Sequence, residues 1–126
     1  MNDSHSPVDV LHASSGGGHI YSAPGGASVY RRATGLDGTA ELVAAGEFDM
    51  DSVGCLHRAL ADAGADDATS VRLDVSGVVF GDTSVIHALL RARQGLGRLA
   101  LVGPVPPQLR QLFDLTGTTP LFPVEA

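Results

Sequence analysis

The segment Gly81-Asp82-Thr83-Ser84 places polar side chains between a short apolar run and a helical pattern. Asp82 and Thr83 are favoured residue types at a helix N-cap, because their side-chain oxygens accept free amide protons of the first turn. Ser84 then lies at or beside the first helical position, with a small, accessible hydroxyl. Because the start of a helix tolerates an anion, this alcohol could carry negative charge without disrupting the fold.

A strand before this segment and a helix after it are predicted to hold it in place. Val71-Arg72-Leu73-Asp74-Val75 alternates apolar and polar residues, as a half-buried strand does. Between Ser84 and Leu96 the apolar residues recur at helical spacing, which predicts one buried helix face. That face comprises Val85, Ala88, Leu89, Ala92 and Leu96. Ser84, His87 and Arg91 are spaced i, i+3 and i+7, on a different face.

The upstream segments predict a hairpin and a helix. Strands over 28–34 and 39–45 flank a turn at Asp37-Gly38, a strong hairpin signal. A helix follows, capped by Asp51 or Ser52. It buries Cys55 as a small core residue rather than presenting it as a nucleophile.

The downstream segments predict a strand, a helix and a short final strand or extended tail. Residues 98–102 are predicted to form the strand. The next helix can begin at Pro106-Pro107, since proline at the first helical position costs no hydrogen bond. Gly117 is the expected end of that helix. The order β-β-α-β-α-β-α, with a possible last strand, predicts an α/β domain with a mixed sheet and packed helices.

Residues 1–26 are rich in Ser, Gly and His, and are predicted to be a disordered tail before a folded domain over 27–126. His5, His12 and His19 recur every seven residues. Nothing in a flexible tail fixes ligand geometry, so we expect no metal site there.

The length, charge and cysteine content limit which classes of protein this chain can belong to. The 126 residues fit one domain, and the net charge of −6 argues against direct nucleic-acid binding and suits a partner with a basic face. A single cysteine indicates a reducing compartment, and we expect a cytoplasmic protein. No apolar run approaches the ~20 residues that span a bilayer, and no secretion signal is apparent, so we expect no membrane contact.

Three short motifs resemble those of the STAS domain of bacterial anti-anti-sigma factors. Phe80-Gly81-Asp82-Thr83-Ser84-Val85 resembles the F-x-D-S-S-G box, and Gly46-Glu47-Phe48-Asp49 resembles the G-E-L-D box after the second strand. Leu112-Phe113-Asp114-Leu115-Thr116-Gly117 is similar to the L-F-x-x-T/S-G signature. The three occur in the family's order, at fitting spacing, and the predicted element order is that of a STAS domain.

The resemblance implies an anti-sigma factor antagonist. In that family the second hydroxyl residue of the box, here Ser84 and less plausibly Thr83, is phosphorylated by a serine kinase that is also the anti-sigma factor. The unmodified domain would bind this kinase and free a sigma factor, and a phosphatase would act on phospho-Ser84. Asp49 and Asp82 match acidic positions that face the partner.

Other candidate partner-binding residues adjoin the box. Val85 replaces the family's glycine and is expected to put a branched side chain on the surface beside Thr83. His87 and Arg91 could contact the phosphate or the partner, and the alternative is an ordinary solvated helix face.

Two competing functions remain open from the sequence. A degenerate STAS module would bind its partner constitutively, without phosphorylation. An enzyme would need a catalytic motif, but the folded part has no G-x-S-x-G, no G-x-x-x-x-G-K-[ST], and no metal-ligand cluster. His57 and His87 suggest no catalytic pair. We therefore expect a binding protein without enzymatic activity, cofactor or metal.

Overall fold

The computed structural model describes residues 9–12, by their backbone, and residues 18–125. Strands and helices alternate along most of this part of the chain. Their bounds are β1 (Asp9–His12), β2 (His19–Ser22), β3 (Ser28–Arg31), β4 (Thr39–Phe48), α1 (Gly54–Ala65), β5 (Ser70–Gly81), α2 (Thr83–Gly95), β6 (Arg98–Val102), α3 (Pro107–Leu115), a 3₁₀ turn (Thr119–Leu121) and β7 (Val124–Glu125). From residue 28 onward the predicted order β-β-α-β-α-β-α is confirmed, together with the short last strand.

The strands form one mixed sheet in the order β1 to β7. Strands β1 to β4 pair antiparallel, whereas β4 to β7 pair parallel. Each helix connects two adjacent parallel strands in the same direction across the sheet. Because such crossovers are right-handed, all three helices pack on the same face and leave the other face open.

The core lies between the sheet and the helices, and it is mainly aliphatic. Alternate residues of the central strands point into it, as the period of two requires. These strand residues are Ala40, Leu42, Ala44, Val71, Leu73, Val75, Leu99 and Leu101. Phe113 and Phe122 close the end of the core near β7, with ring centroids 5.7 Å apart.

The open face of the sheet carries a row of opposite charges. Arg72 donates from Nε to Glu125 Oε1 at 2.7 Å and from Nη1 to Glu41 Oε2 at 3.1 Å. Arg98 donates to the second oxygen of Glu125 at 3.1 Å. These bonds from Arg72 and Arg98 lower the pKa of Glu125. The row ties the two-residue strand β7 to the centre of the sheet.

Strands β1 and β2 lie inside the segment 1–26 that was expected to be disordered, so the structure differs from that expectation at 9–12 and 18–26. Tyr21 of β2 is fully buried, and its hydroxyl donates to Asp62 Oδ2 of α1 at 2.8 Å. The buried Arg31 donates from Nε to the same hydroxyl at 3.0 Å and from Nη1 to Asp66 Oδ2 at 2.6 Å. Composition could not reveal this docking, because its acceptors lie 41 and 35 residues along the chain from the donors.

The three histidines of that segment do not share one environment. His5 lies outside the described residues, and His12 is described only as part of strand β1. The Nδ1 of His19 lies 3.2 Å from Nη2 of Arg31. His19 is therefore part of the contact between β2 and β3.

We predict that Tyr21→Phe lowers the free energy of unfolding by about 1–3 kcal/mol, because a buried guanidinium donor of Arg31 loses its acceptor. Urea denaturation measures this change. Tyr30→Phe is the matched control, since the Tyr30 hydroxyl makes no hydrogen bond in the described part of the chain and should cost little. Equal free energies for the two variants would show that β2 is not docked as described.

Candidate functional site

The site lies where β5 ends and α2 begins. Asp82 has an extended backbone and is the N-cap of α2, as predicted. Its Oδ1 accepts the backbone N–H of Ser84 at 2.9 Å and also accepts the Ser84 hydroxyl. One carboxylate oxygen therefore starts the helix and orients the Ser84 side chain.

The two hydroxyl residues differ in exposure and in hydrogen bonding. Ser84 is half-buried, so its oxygen is not sealed in the core, and its hydroxyl is held by Asp82. Thr83, the first residue of α2, is exposed, and its hydroxyl makes no hydrogen bond among the described residues. Both are accessible to another protein, but only Ser84 is held in a defined orientation.

Gly81 fixes the approach of α3 to this junction. A Cβ at Gly81 would lie 2.8 Å from Cδ2 of Leu109 and 3.2 Å from Cγ2 of Val85, so a larger residue there requires the Leu109 side chain to move. The side-chain amide of Gln108 accepts the Gly81 N–H at 3.0 Å and donates to the Gly81 carbonyl at 2.8 Å. No sequence motif pointed to Gln108, since the contact spans 27 residues.

Two expectations for Val85 differed, because the helical spacing placed it on the buried face of α2 and the resemblance to the box placed it on the surface. The first is confirmed and the second is wrong. The Val85 side chain is only 6% exposed and packs into the core rather than onto the surface. Val85 lies on the same buried face of α2 as Ala88 and Leu89. Val85 is therefore not a surface contact for a partner, and it does not cover the site.

Asp49 lies beside this junction, because the Asp82 N–H donates to the Phe48 carbonyl at 3.1 Å. Asp49 is exposed, and its Oδ1 accepts the backbone N–H groups of Asp51 at 2.9 Å and Ser52 at 3.1 Å. Ser52 Oγ accepts the Asp49 N–H at 2.9 Å, which completes a reciprocal cap.

The predicted cap of α1 therefore needs a correction. Asp51 and Ser52 do not cap the helix, which begins at Gly54 after Val53 without a side-chain cap. Asp49 caps the preceding turn instead. Its second carboxylate oxygen makes no hydrogen bond among the described residues, so it stays available to a partner.

Exposed apolar side chains lie next to the two acidic residues along the chain. In the pairing of β4 with β5, Glu47 pairs with Phe80 and Gly46 with Val78, which leaves Val79 as a bulge residue without a partner. Bulges turn side chains outward at the ends of strands. Val79 is 69% exposed and Phe80 43%. With Met50, which is 81% exposed, they form what we call the apolar rim.

His87 and Arg91 are both exposed on α2, but they do not meet Ser84 in any hydrogen bond or ion pair of the described part. Arg91 lies instead on a groove of about 480 Å³ between α1 and α2, the α1–α2 groove. The groove is lined by His57, Leu60, Ala61 and Gly64 of α1, by Ala88, Arg91, Ala92 and Gly95 of α2, and by Leu96. Burial, and then the charge of Arg91, lower the pKa of His57.

Cys55 is a core residue, as expected. It is fully buried, and its Sγ donates to the Ser52 carbonyl at 3.3 Å. Burial raises the pKa of its thiol to about 11. The thiol is therefore both inaccessible and protonated at neutral pH.

Comparison with known protein families identifies the family of this chain. A family model described as "Mlab, STAS domain" matches residues 33–123. The chain belongs to the STAS domain family. The match begins just after β3 and stops just before β7, and it includes Ser84 and both acidic residues.

Three solved structures have a similar fold, and two of them are described as anti-sigma factor antagonists. One from Mycobacterium paratuberculosis is 27% identical, with a TM-score of 0.67, over 82% of this chain and 88% of that one. The unphosphorylated form of SpoIIAA is 22% identical, with a TM-score of 0.61, over 70% and 80% of the two chains. The phosphorylated form of SpoIIAA, the Bacillus cell fate determinant, is 22% identical, with a TM-score of 0.54, over 70% and 83%. The two SpoIIAA structures support the fold alone.

Among curated proteins, none matches this sequence. Across residues 9–12 and 18–125, no group of three His, Cys, Asp or Glu side chains is placed to hold a metal ion. None of the helices in the same part has the length and apolar character that a membrane crossing requires.

We predict that Asp82→Ala lowers the free energy of unfolding by about 1 kcal/mol, because α2 loses its N-cap. Asp82→Asn should leave stability nearly unchanged, since asparagine caps as well as aspartate. Thermal and urea unfolding of both variants measure the difference. A loss in the Asn variant as large as in the Ala variant would show that charge, not capping, stabilises this junction.

We also predict that Cys55 resists thiol reagents in the folded protein. With a pKa of about 11, roughly one thiol in a thousand is ionised at pH 8, and burial blocks access to the rest. Reaction with Ellman's reagent should be slow until guanidinium unfolds the chain. Labelling at the same rate with and without guanidinium would contradict the buried position.

Proposed function

We propose that this STAS domain is an anti-sigma factor antagonist that binds a serine-kinase anti-sigma factor and thereby frees a sigma factor. Phosphorylation of Ser84 by that kinase ends the binding. The observation that carries the proposal is the half-buried Ser84 hydroxyl, held on the capping carboxylate of Asp82 beside an exposed apolar rim. The 27% identical neighbour, an anti-sigma factor antagonist, supports the choice of partner.

The unmodified surface suits protein binding. Met50, Val79 and Phe80 offer apolar area, and burying such area in an interface is favourable at about 25 cal/mol per Å². The free carboxylate oxygens of Asp49 and Asp82 offer acceptors to basic or polar groups of the kinase. Thr83, exposed at the helix start, lies within the same surface.

Phosphorylation would change the charge of this surface without new packing. The γ-phosphoryl group of ATP passes to Ser84 Oγ, the hydroxyl proton leaves, and ADP is released. The Ser84 oxygen then has no proton to donate to Asp82, and about −1.5 to −2 charges stand next to that carboxylate. A phosphatase restores the hydroxyl by hydrolysing the phosphate ester with water.

The expected charge repulsion is large enough to switch partner binding off. At ~4 Å and an effective dielectric of about 20, two like unit charges repel by roughly 4 kcal/mol, and by less where solvent screens them. A loss of about 3 kcal/mol from an interface is roughly a hundredfold in affinity. Because the start of α2 tolerates an anion, the fold should survive the same change.

The setting of this activity is proposed to be the bacterial cytoplasm. With a net charge of −6, the chain is expected to act on proteins and not to bind nucleic acid or membranes itself. His87, exposed one turn beyond Ser84, is a candidate contact of the kinase.

A second function, constitutive binding by a STAS module without phosphorylation, is favoured by one observation. The Ser84 hydroxyl is already bonded to Asp82 and only partly exposed, so a kinase must break that bond to reach it. Incubation with the kinase and ATP, followed by intact mass, separates the two functions. A gain of one phosphate that Ser84→Ala abolishes and Thr83→Ala retains supports the switch; no gain supports constitutive binding.

We predict that the wild-type chain and Ser84→Ala capture the anti-sigma factor in a pull-down, whereas Ser84→Asp captures at least tenfold less. The added carboxylate repels Asp82 and faces the partner. Ser84→Asn is the matched control, because it has the same shape without the charge and should bind nearly as wild type does. Equal capture by all four proteins would remove Ser84 from the mechanism.

A further inference from the structure

We infer that the α1–α2 groove is a second contact site for the anti-sigma factor, and that it takes an amphipathic helix carrying aliphatic side chains and one carboxylate near Arg91. This inference rests on the proposed function, because the occupant is the same partner. It adds a surface that the sequence motifs do not cover.

The shape of the groove fits a helix. Each wall is built from positions i, i+3, i+4 and i+7 of one helix, from residue 57 to 64 on α1 and from 88 to 95 on α2. At ~1.5 Å per residue each wall is about 10 Å long, or two helical turns. A groove between two such walls can receive a ridge of side chains from a third helix. Nothing lies within 4 Å of a Cβ built on Gly64 or Gly95, so the far end of the groove has room for a partner's side chains.

The groove combines one charged side chain with apolar ones. Strands β4, β5 and β6 are parallel, so α1 and α2 return in the same direction and their first turns lie at the same end. His57 lies towards that end of the α1 wall, and Arg91 lies past the middle of α2. Ala61, Ala92 and Leu96, which are exposed or half-buried, supply the apolar surface. A helix with aliphatic residues and one acidic residue matches this combination.

Arg91 is available to such a partner. The eight basic residues are all arginines, and five of them form ion pairs with carboxylates of the described residues. Arg91 does not, and none of the groove-lining residues is acidic. In a chain with a net charge of −6, the groove is thus a local site for negative charge.

The groove also adjoins the proposed kinase surface. Arg91 is seven residues beyond Ser84 on α2, about 10 Å along the helix axis. A standard protein interface covers about 800 Å² on each partner, so one partner can contact both places. The two contacts should contribute to one affinity.

The test compares matched variants in binding to the anti-sigma factor that the wild-type chain captures, by isothermal titration calorimetry. Arg91→Glu should weaken binding at least tenfold, whereas Arg93→Glu, the same charge change two residues along α2 and outside the groove, should change it less than threefold. Ala61→Trp, which fills the groove, should weaken binding similarly, and Gln94→Trp should not. Thermal unfolding confirms that all four variants are folded.

A charge reversal completes the test. Replacing the matching acidic residue of the partner helix by arginine should restore binding to Arg91→Glu. If Arg91→Glu and Arg93→Glu bind equally while Ser84→Asp still weakens binding, the groove is not a contact and the proposed function stands. If no anti-sigma factor binds the wild-type chain, both inferences fall. A dimer of this chain that Arg91→Glu dissociates would assign the groove to a second copy and overturn the inference.

Discussion

The carboxylate of Asp82 is the interaction on which the site depends. One oxygen accepts the Ser84 amide and the Ser84 hydroxyl, so the start of α2 and the orientation of the alcohol are set together. Before it in the chain, Gly81 packs closely against Leu109, and Gln108 hydrogen-bonds to both backbone groups of Gly81. The alcohol is therefore presented by a junction that packing and hydrogen bonds define from two sides.

This arrangement explains how a small chemical change could have a large effect on binding. A neutral hydroxyl gives the capping carboxylate a proton to accept, and a phosphate replaces that proton with charge of the same sign. The helix start tolerates the anion, so the cost falls on whatever faces the surface. The apolar rim of Met50, Val79 and Phe80 would give a partner its area, and the charge state of Ser84 would decide whether that area can be used.

Local chemistry made much of the fold predictable. Some features follow from residue types that act only on neighbouring positions of the chain. These are the cap at Asp82, the hairpin turn at Asp37-Gly38 and the proline start of α3. The docking of β2 was not predictable in that way. Tyr21 stands in a Gly- and Ser-rich segment, and its partner on α1 is 41 residues distant.

Within the site, the sequence predicted which residue types are present, but not which way every side chain points or which turn it caps. The resemblance to the box placed Val85 on the surface, because it replaces the family's glycine, whereas the helical spacing placed it on the buried face, where it lies. Asp51 and Ser52 were plausible helix caps by type, yet α1 begins without a side-chain cap, and Asp49 caps the turn that precedes it. Gln108 and the groove beside Arg91 depend on how helices pack across the sheet, which no local pattern encodes.

The most direct test of the central claim is the affinity of the cognate anti-sigma factor for the chain carrying phosphoserine at position 84, compared with the unmodified chain. Calorimetry at low and at physiological ionic strength would measure both, with amide NMR spectra to compare the folds. The account predicts binding weaker by roughly a hundredfold, less so at higher salt, with spectral changes confined to the start of α2. Equal affinity of the two forms, or a phosphorylated chain that has unfolded, would contradict it.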